Sequence, residues 1–421
     1  MGHDPVTELL DEAEVLVTVD GDFKRFWAGQ TVSAVGTHVT AVALPLTAAL
    51  TLDAGAAGVS AIATATYLPS AALPLLTGHW LEGRRKRGVM IAVDIIRAAA
   101  LIVIPLAWAM DQLSLPLLVA VAFLVGAASV VFDIASFAYL PDFVPEAELP
   151  SANRALQGSS TAAQVGGPGL SGILVQLLGP AVALLVDAVS YLASAVGVGS
   201  AQRPEIAPHA TDDRPGLWEG VRQIKVSPFL RSLTAHAALY NASAQILVVN
   251  LVVLAVKERG LSAGGYGIAL SAGGAGAFVG AMLGLRLAKR LGYGRAFGTS
   301  LVLSTGLPLL LAFLPGRGIQ YGVLLGVLQF LSGIGLGSAN VLSVTIRQLL
   351  IPRTALARSN GAYRTFTFGV LPIGAALGGV LGSTFSTTAA VAVGSIGMAL
   401  SALPMFVREV RTLETAVTTA A

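Results

Sequence analysis

One apolar run after another decides what this chain can fold into. Twelve stretches of roughly 18–25 residues, each poor in charge, follow one another with short polar breaks. In the first half they fall at Phe26–Leu50, Ala56–Leu81, Val89–Met110, Ser114–Phe137, Ala155–Leu178 and Pro180–Val198. In the second they fall at Leu230–Val256, Tyr266–Leu287, Ala296–Leu314, Ile319–Val344, Ser359–Phe385 and Thr387–Phe406. With no water in a bilayer core, backbone groups must be satisfied within the segment, so runs of this length predict membrane-spanning helices. Only 12% of residues are charged, about half the share of a soluble domain, which leaves too little polar surface for a soluble fold of 421 residues.

The basic residues fix an expected orientation. Arg84-Arg85-Lys86-Arg87 crowd one short loop between two apolar runs. Lys24, Arg25, Arg154, Arg203, Arg214, Arg222, Lys225, Arg231, Arg286, Lys289, Arg290, Arg295, Arg347, Arg353, Arg358, Arg408 and Arg411 fall on the same side when the N-terminus is placed inside. The other side keeps only Lys257, Arg259 and Arg317, a bias of roughly seven to one. The expectation is an inner (plasma) membrane protein with both termini cytoplasmic. Residues 1–22 read as an acidic N-terminal tail and 408–421 as a C-terminal tail, flanking bundles at 23–200 and 229–407. The polar, proline-containing stretch 201–228 is the boundary between halves. Its later part, Trp218 to Lys225, reads as an amphipathic surface helix.

The halves repeat. At an offset of 207 residues Asn153 meets Asn360, Gly167 meets Gly374 and Gly172 meets Gly379, while Phe23-Lys24-Arg25 has a near match in Phe229-Leu230-Arg231. Paired halves are a common construction of secondary transporters, with the solute site at mid-membrane between them.

Gly78, Glu82, Lys86 and Arg87 resemble the loop motif of the major facilitator superfamily, although Gly83 stands where arginine is usual and Arg85 where glycine is usual. Gly166-Gly167-Pro168-Gly169-Leu170-Ser171-Gly172 is similar to that family's antiporter-type glycine-proline motif. Tyr363-Arg364, Gly369, Pro372, Gly374, Gly378 and Gly379 look like the eleventh span of enterobactin exporters and macrolide efflux proteins. The resemblance implies an all-α fold of twelve transmembrane helices in two six-helix pseudo-symmetric bundles. It implies alternating access and a monomer, and it makes Gly78, Glu82, Lys86, Arg87 and Arg364 a conformational latch. Glu82 would face the start of the eleventh span, where free N–H groups favour negative charge.

Charges within spans are costly and are functional candidates by default. Asp133 is the first candidate for proton coupling, its other reading being a structural charge cluster with Glu82 and Lys86 at the cytoplasmic face; Asp94 and Asp187 are further candidates. Asp94 and Arg97, three residues apart, share a helix face and are placed to pair. Arg364 has two readings, an inter-bundle contact or attraction of an anionic solute. For the cavity, the resemblance points to spans one, four, seven and ten. There Gln30, Thr31, His38, Tyr240, Asn241, Gln245, Gln329 and Ser332 offer hydrogen bonds without fixed charge. His38 either titrates near neutral pH or is a structural histidine. An apolar cavity with scattered polar groups suits a bulky amphipathic solute better than a sugar.

The sequence has no cysteine, so neither disulfide nor thiolate metal site is available. No phosphate-binding glycine loop, metal cluster or activated nucleophile is present in the sequence, and neither a cofactor nor an enzyme activity is expected. Nucleic acid is not an expected partner; the bilayer, a small solute and protons are. Export of a drug, macrolide or siderophore-like compound by proton antiport is the leading expectation. Uniport or uptake of a metabolite, and a non-transporting scaffold or receptor, are the alternatives.

Overall fold

The computed structural model describes residues 21–81, 84–144, 149–200, 218–350 and 362–406. Among these residues there are helices and connecting turns but no strand. In the first half lie α1 (Gly21–Leu46), α2 (Ala56–Tyr67), α3 (Pro69–Leu81), α4 (Lys86–Ala109), α5 (Leu115–Phe143), α6 (Leu149–Leu178) and α7 (Pro180–Gly199). A short helix, α8 (Trp218–Val226), precedes the second half, at the place where a surface helix is expected. There follow α9 (Pro228–Val253), α10 (Ala263–Leu291), α11 (Tyr293–Leu301), α12 (Gly318–Leu350), α13 (Leu371–Thr384) and α14 (Thr387–Ser401).

Among the described residues, ten helical segments are long and apolar enough to cross a membrane. The expected second and fifth spans fall short of that measure for visible reasons. The second is broken between α2 and α3, where Pro69 follows Leu68, and α3 carries a further Pro74. The fifth, α6, is 30 residues long but carries Gln157, Ser159, Ser160, Thr161 and Gln164. Expected ends also shift: α5 continues to Phe143 and α6 starts at Leu149, because helical hydrogen bonding does not stop where apolarity does.

Loops alternate between two faces. Thr51 to Gly55 lies on one, here the Asp53 face; Arg84 and Arg85 lie on the other, the Arg84 face. Within the first group α1 packs on α6 and α7, α4 on α5 and α7, and α2 and α3 on α5. Within the second α9 packs on α13 and α14, and α10 on α12. Apolar side chains cover the outside: Phe137 is 85% exposed, Phe313 79% and Leu177 75%. An outer surface of this kind belongs against lipid tails.

Helices approach closely where small residues line up, because packing rather than water expulsion drives association in lipid. On α10, Gly273, Ala277, Gly280 and Gly284 form one stripe against α12, where Gly333 and Gly337 approach the carbonyls of Gly273 and Ala277. A second stripe on α10, Gly264, Gly267 and Gly274, faces α6 of the other group.

Candidate functional site

The two helix groups meet along two seams, both towards the Asp53 face. On one, a Cβ at Gly172 would lie 2.5 Å from the Ala263 carbonyl, 3.0 Å from Gly267 Cα and 3.1 Å from Gly264 Cα. Pro168 lacks the N–H that would continue the helical ladder, and next to it the Gly169 N–H donates across the seam to Ser271 Oγ at 2.8 Å. On the other seam, Ser60 Oγ of α2 donates to the Ala375 carbonyl of α13 at 2.5 Å, and Gly379 leaves room for that serine. Gly374 and Gly378 instead admit α9 within their own group. At the surface of the Asp53 face, Lys257 Nζ reaches Asp53 Oδ1 at 2.5 Å. Towards the Arg84 face α6 and α10 part. A cleft of about 390 Å³ opens between Gln157, Thr161 and Val165 on one side and Phe278 on the other.

Between the seams lies a cavity of about 160 Å³. Leu44 and Pro45 of α1, Ile62 of α2, Val125 of α5, Val248 of α9 and Leu270 of α10 give it apolar walls. Thr40, Tyr67 and Gln245 are polar points in the lining, and Gln245 and Tyr67 approach each other from opposite groups.

Beside this cavity, inside the first group, is a buried polar cluster. Asp187 of α7 accepts from Thr40 Oγ1 of α1 at 2.5 Å and from Ser190 Oγ at 2.8 Å, and is fully buried. Gly36 makes this possible, since a Cβ there would collide with Asp187 and Ser190. Asp94 and Arg97 of α4 form an ion pair, both buried. The Arg97 guanidinium lies between two rings, 4.3 Å from the centre of Phe132 and 4.1 Å from that of Tyr191. Gln30 donates to Ser194 at 2.9 Å, close to Asp94. Asp133 of α5 is exposed to the space between the groups, within electrostatic reach of both Arg97 and Arg364.

The remaining sequence candidates are distributed as follows. The Thr31 hydroxyl donates to its own helix at the Trp27 carbonyl. His38 packs against Gly167, where any larger residue would collide with it. Tyr240 sits beside the His236 ring, 6.0 Å between centres, and Asn241 donates to the Thr367 carbonyl. Gln329 backs Gly273 in the α10–α12 contact, and Ser332 donates to the Ser304 carbonyl. Gly166 has open space where a Cβ would point, and Pro372 is buried near the start of α13. Of the latch residues, Gly78 lies in α3, Lys86 opens α4, and Arg87 donates to the Gly199 carbonyl at the end of α7. Arg364 lies 5.7 Å from the Phe368 ring centre. Glu82 lies outside the described residues.

Thr40, which lines the cavity and bonds Asp187, is a residue that sequence reading passed over. A threonine in an apolar helix is ordinary, and its partner is 147 residues away. Among the described residues no group of three or more His, Cys, Asp or Glu is placed to hold a metal ion.

Comparison with known proteins places this architecture. A family model described as transmembrane secretion effector matches residues 19–421. YvqJ of Bacillus subtilis (strain 168), an uncharacterized MFS-type transporter, is 24% identical over 358 residues, covering 81% of this chain and 82% of its own. Among solved structures, a bacterial homologue of the iron transporter ferroportin in its inward-facing state superposes with a TM-score of 0.72 at 18% identity, covering 91% of this chain and 97% of that one. The same protein in its outward-facing state gives 0.57. The nucleoside transporter NupG gives 0.70 at 14% identity, covering 95% and 99%. With the family model spanning nearly its whole length, the chain belongs to the transmembrane secretion effector family of major facilitator (MFS) transporters.

Proposed function

We propose that the protein exports a small amphipathic molecule across the cell membrane by alternating access, in exchange for protons. The carrying observation is the asymmetry of the seams: closed at the Asp53 face, parted at the Arg84 face, with an apolar cavity between. The basic loops make the Arg84 face cytoplasmic, so the described conformation is inward-open with both termini inside. The better superposition on the inward-facing neighbour supports this. The family's description as secretion effectors supports the outward direction. Twelve crossings follow if α2 with α3, and α6, are counted as spans; the chain acts as a monomer. The buried carboxylates Asp187 and Asp94, with Asp133 facing the opening, carry the protons.

The test is accumulation of a dye panel in inverted membrane vesicles energised by a proton gradient. The expected result is uptake that collapses when the gradient is dissipated, is lost in Asp187→Asn and is slowed in Asp133→Asn. Uptake that persists without the gradient in all three proteins overturns the exchange reading.

A further inference from the structure

The cavity and the buried carboxylate share a residue. Thr40 lines the cavity and, at the same time, donates its hydroxyl to Asp187 Oδ2 at 2.5 Å. We propose that Thr40 is a relay which reverses its hydrogen-bonding sense towards the cavity according to whether Asp187 holds a proton, and that the exported molecule carries a ring-sized apolar group with an N–H or O–H donor. This rests on the proton-exchange reading and adds its cargo class and coupling step.

A threonine hydroxyl has one hydrogen and two lone pairs. When Asp187 is ionised it is an acceptor only. Thr40 then spends its hydrogen on the carboxylate and can offer the cavity only lone pairs. When Asp187 takes up a proton, the new carboxyl O–H donates to Thr40 Oγ1. The threonine hydrogen is released and can turn to the cavity as a donor. One proton enters, one hydrogen bond reverses, and no other bond changes.

A molecule that donates to Thr40 therefore favours ionised Asp187, and one that only accepts favours protonated Asp187. Exchange requires the first relation, since cargo and proton must displace each other. The other groups around Asp187 leave this choice to Thr40. Ser190 sits on the same helix and bonds Oδ1. Arg97 and Asp94 of α4 are paired with each other. Tyr191 lies near Asp187 and within 3.5 Å of Thr37. Size sets the apolar part: a dry apolar cavity of ~150 Å³ takes one benzene ring, and this cavity measures about 160 Å³.

The test uses the full chain in lipid nanodiscs, following the infrared band of protonated carboxyls assigned by its loss in Asp187→Asn. The probes are indole, which presents one N–H donor and no lone-pair acceptor, and quinoline, which presents an acceptor nitrogen and no donor. At fixed pH near the midpoint of the band, indole is expected to shrink it and quinoline to enlarge it. Each should change the protonated-to-ionised ratio about threefold, the effect of one net hydrogen bond. Thr40→Val, which keeps shape and loses the hydroxyl, is expected to abolish both responses, and Thr40→Ser to retain them. Movement of the band in one direction by both probes, an unchanged response in Thr40→Val, or failure of both probes to bind overturns the relay. Absence of any titrating band that Asp187→Asn removes overturns the relay together with proton carriage by Asp187. That failure is told apart by the wild-type pH titration without probes.

Discussion

Lys257, at the end of the second group's first span, bonds Asp53 of the first group twice: Nζ lies 2.5 Å from Oδ1 and 3.1 Å from the main-chain carbonyl. Asp53 adopts a φ of +51°, a left-handed conformation that aspartate and asparagine tolerate better than most residues. The contact clasps the closed face from outside. Asp53→Asn keeps the backbone preference and removes the charge. It is expected to raise, several-fold, the rate at which a thiol introduced as Val59→Cys is labelled from the Asp53 face. The chain has no cysteine of its own, so that thiol reports alone. An unchanged labelling rate would show that the seams alone hold this face shut.

The pH dependence of the same clasp has a definite sign. The hydrogen bond from Lys257, and then its charge, hold the Asp53 carboxyl below its ordinary value. A group lowered in this way contributes to closure at every pH above its unpaired value and loses the contribution as pH falls through the lowered one. Labelling of Val59→Cys is thus expected to be flat from neutral pH down to the carboxylate range, and to rise only in stronger acid. Asp53→Asn should remove that rise. High salt should imitate it in part, because the Asp53 side chain is 91% exposed and screened.

Two glycines separate seam closure from bundle integrity. Gly172 faces Ala263, Gly264 and Gly267 across the groups, whereas Gly337 faces the Ala277 carbonyl within one group. Gly172→Val forces apart only the surface that opens during transport. Its expected result is folded protein in normal amount, faster labelling from the Asp53 face and lost transport. Gly337→Val has no alternative state in which the clash is relieved, so it should lower stability by ~1–3 kcal/mol or more, the usual cost of overpacking. Thermal unfolding in detergent separates the two; equal destabilisation would argue that the α6–α10 contact is as permanent as the α10–α12 one.

The sequence carried the architecture further than the site. Apolar runs and basic loops are one-dimensional properties; the runs located the helices, and the loops set an expected sidedness. The Asp94–Arg97 spacing fixed a shared helix face, and the pair is present. The polar candidates behave differently, because residue type does not say which face a side chain takes. Gln30, Asn241 and Ser332 bond within their own groups, while Gln245 lines the cavity and approaches Tyr67 of the other group. The link from Thr40 to Asp187 depends on Gly36 letting α1 and α7 touch, which is a property of the packed pair and not of either segment.

Among the described residues of the first group Arg97 is a buried cation, paired with Asp94 and acting on Asp187 and Asp133 as well. Arg97→Met keeps much of the volume between Phe132 and Tyr191 but leaves Asp94 buried without its partner. Breaking one side of a buried pair costs about 3–5 kcal/mol. Folded yield and thermal stability should fall accordingly. Adding Asp94→Asn should recover a large part, since the uncompensated carboxylate is then gone. Two losses that simply add would mean that the pair is not the unit that matters.

Asp133 and Arg364 stand on opposite groups and attract across the parted face. Moving together would strengthen that attraction, and so the pair favours closing the Arg84 face, the step that follows cargo loading in the proposed export cycle. Asp133→Asn and Arg364→Gln are each expected to slow exchange and leave stability nearly unchanged, because both side chains are exposed. Their effects on the exchange rate should not add: the double variant should be close to the worse single one, with a coupling that weakens in high salt. Additive losses would separate the two residues and leave Asp133 answering to Arg97 alone.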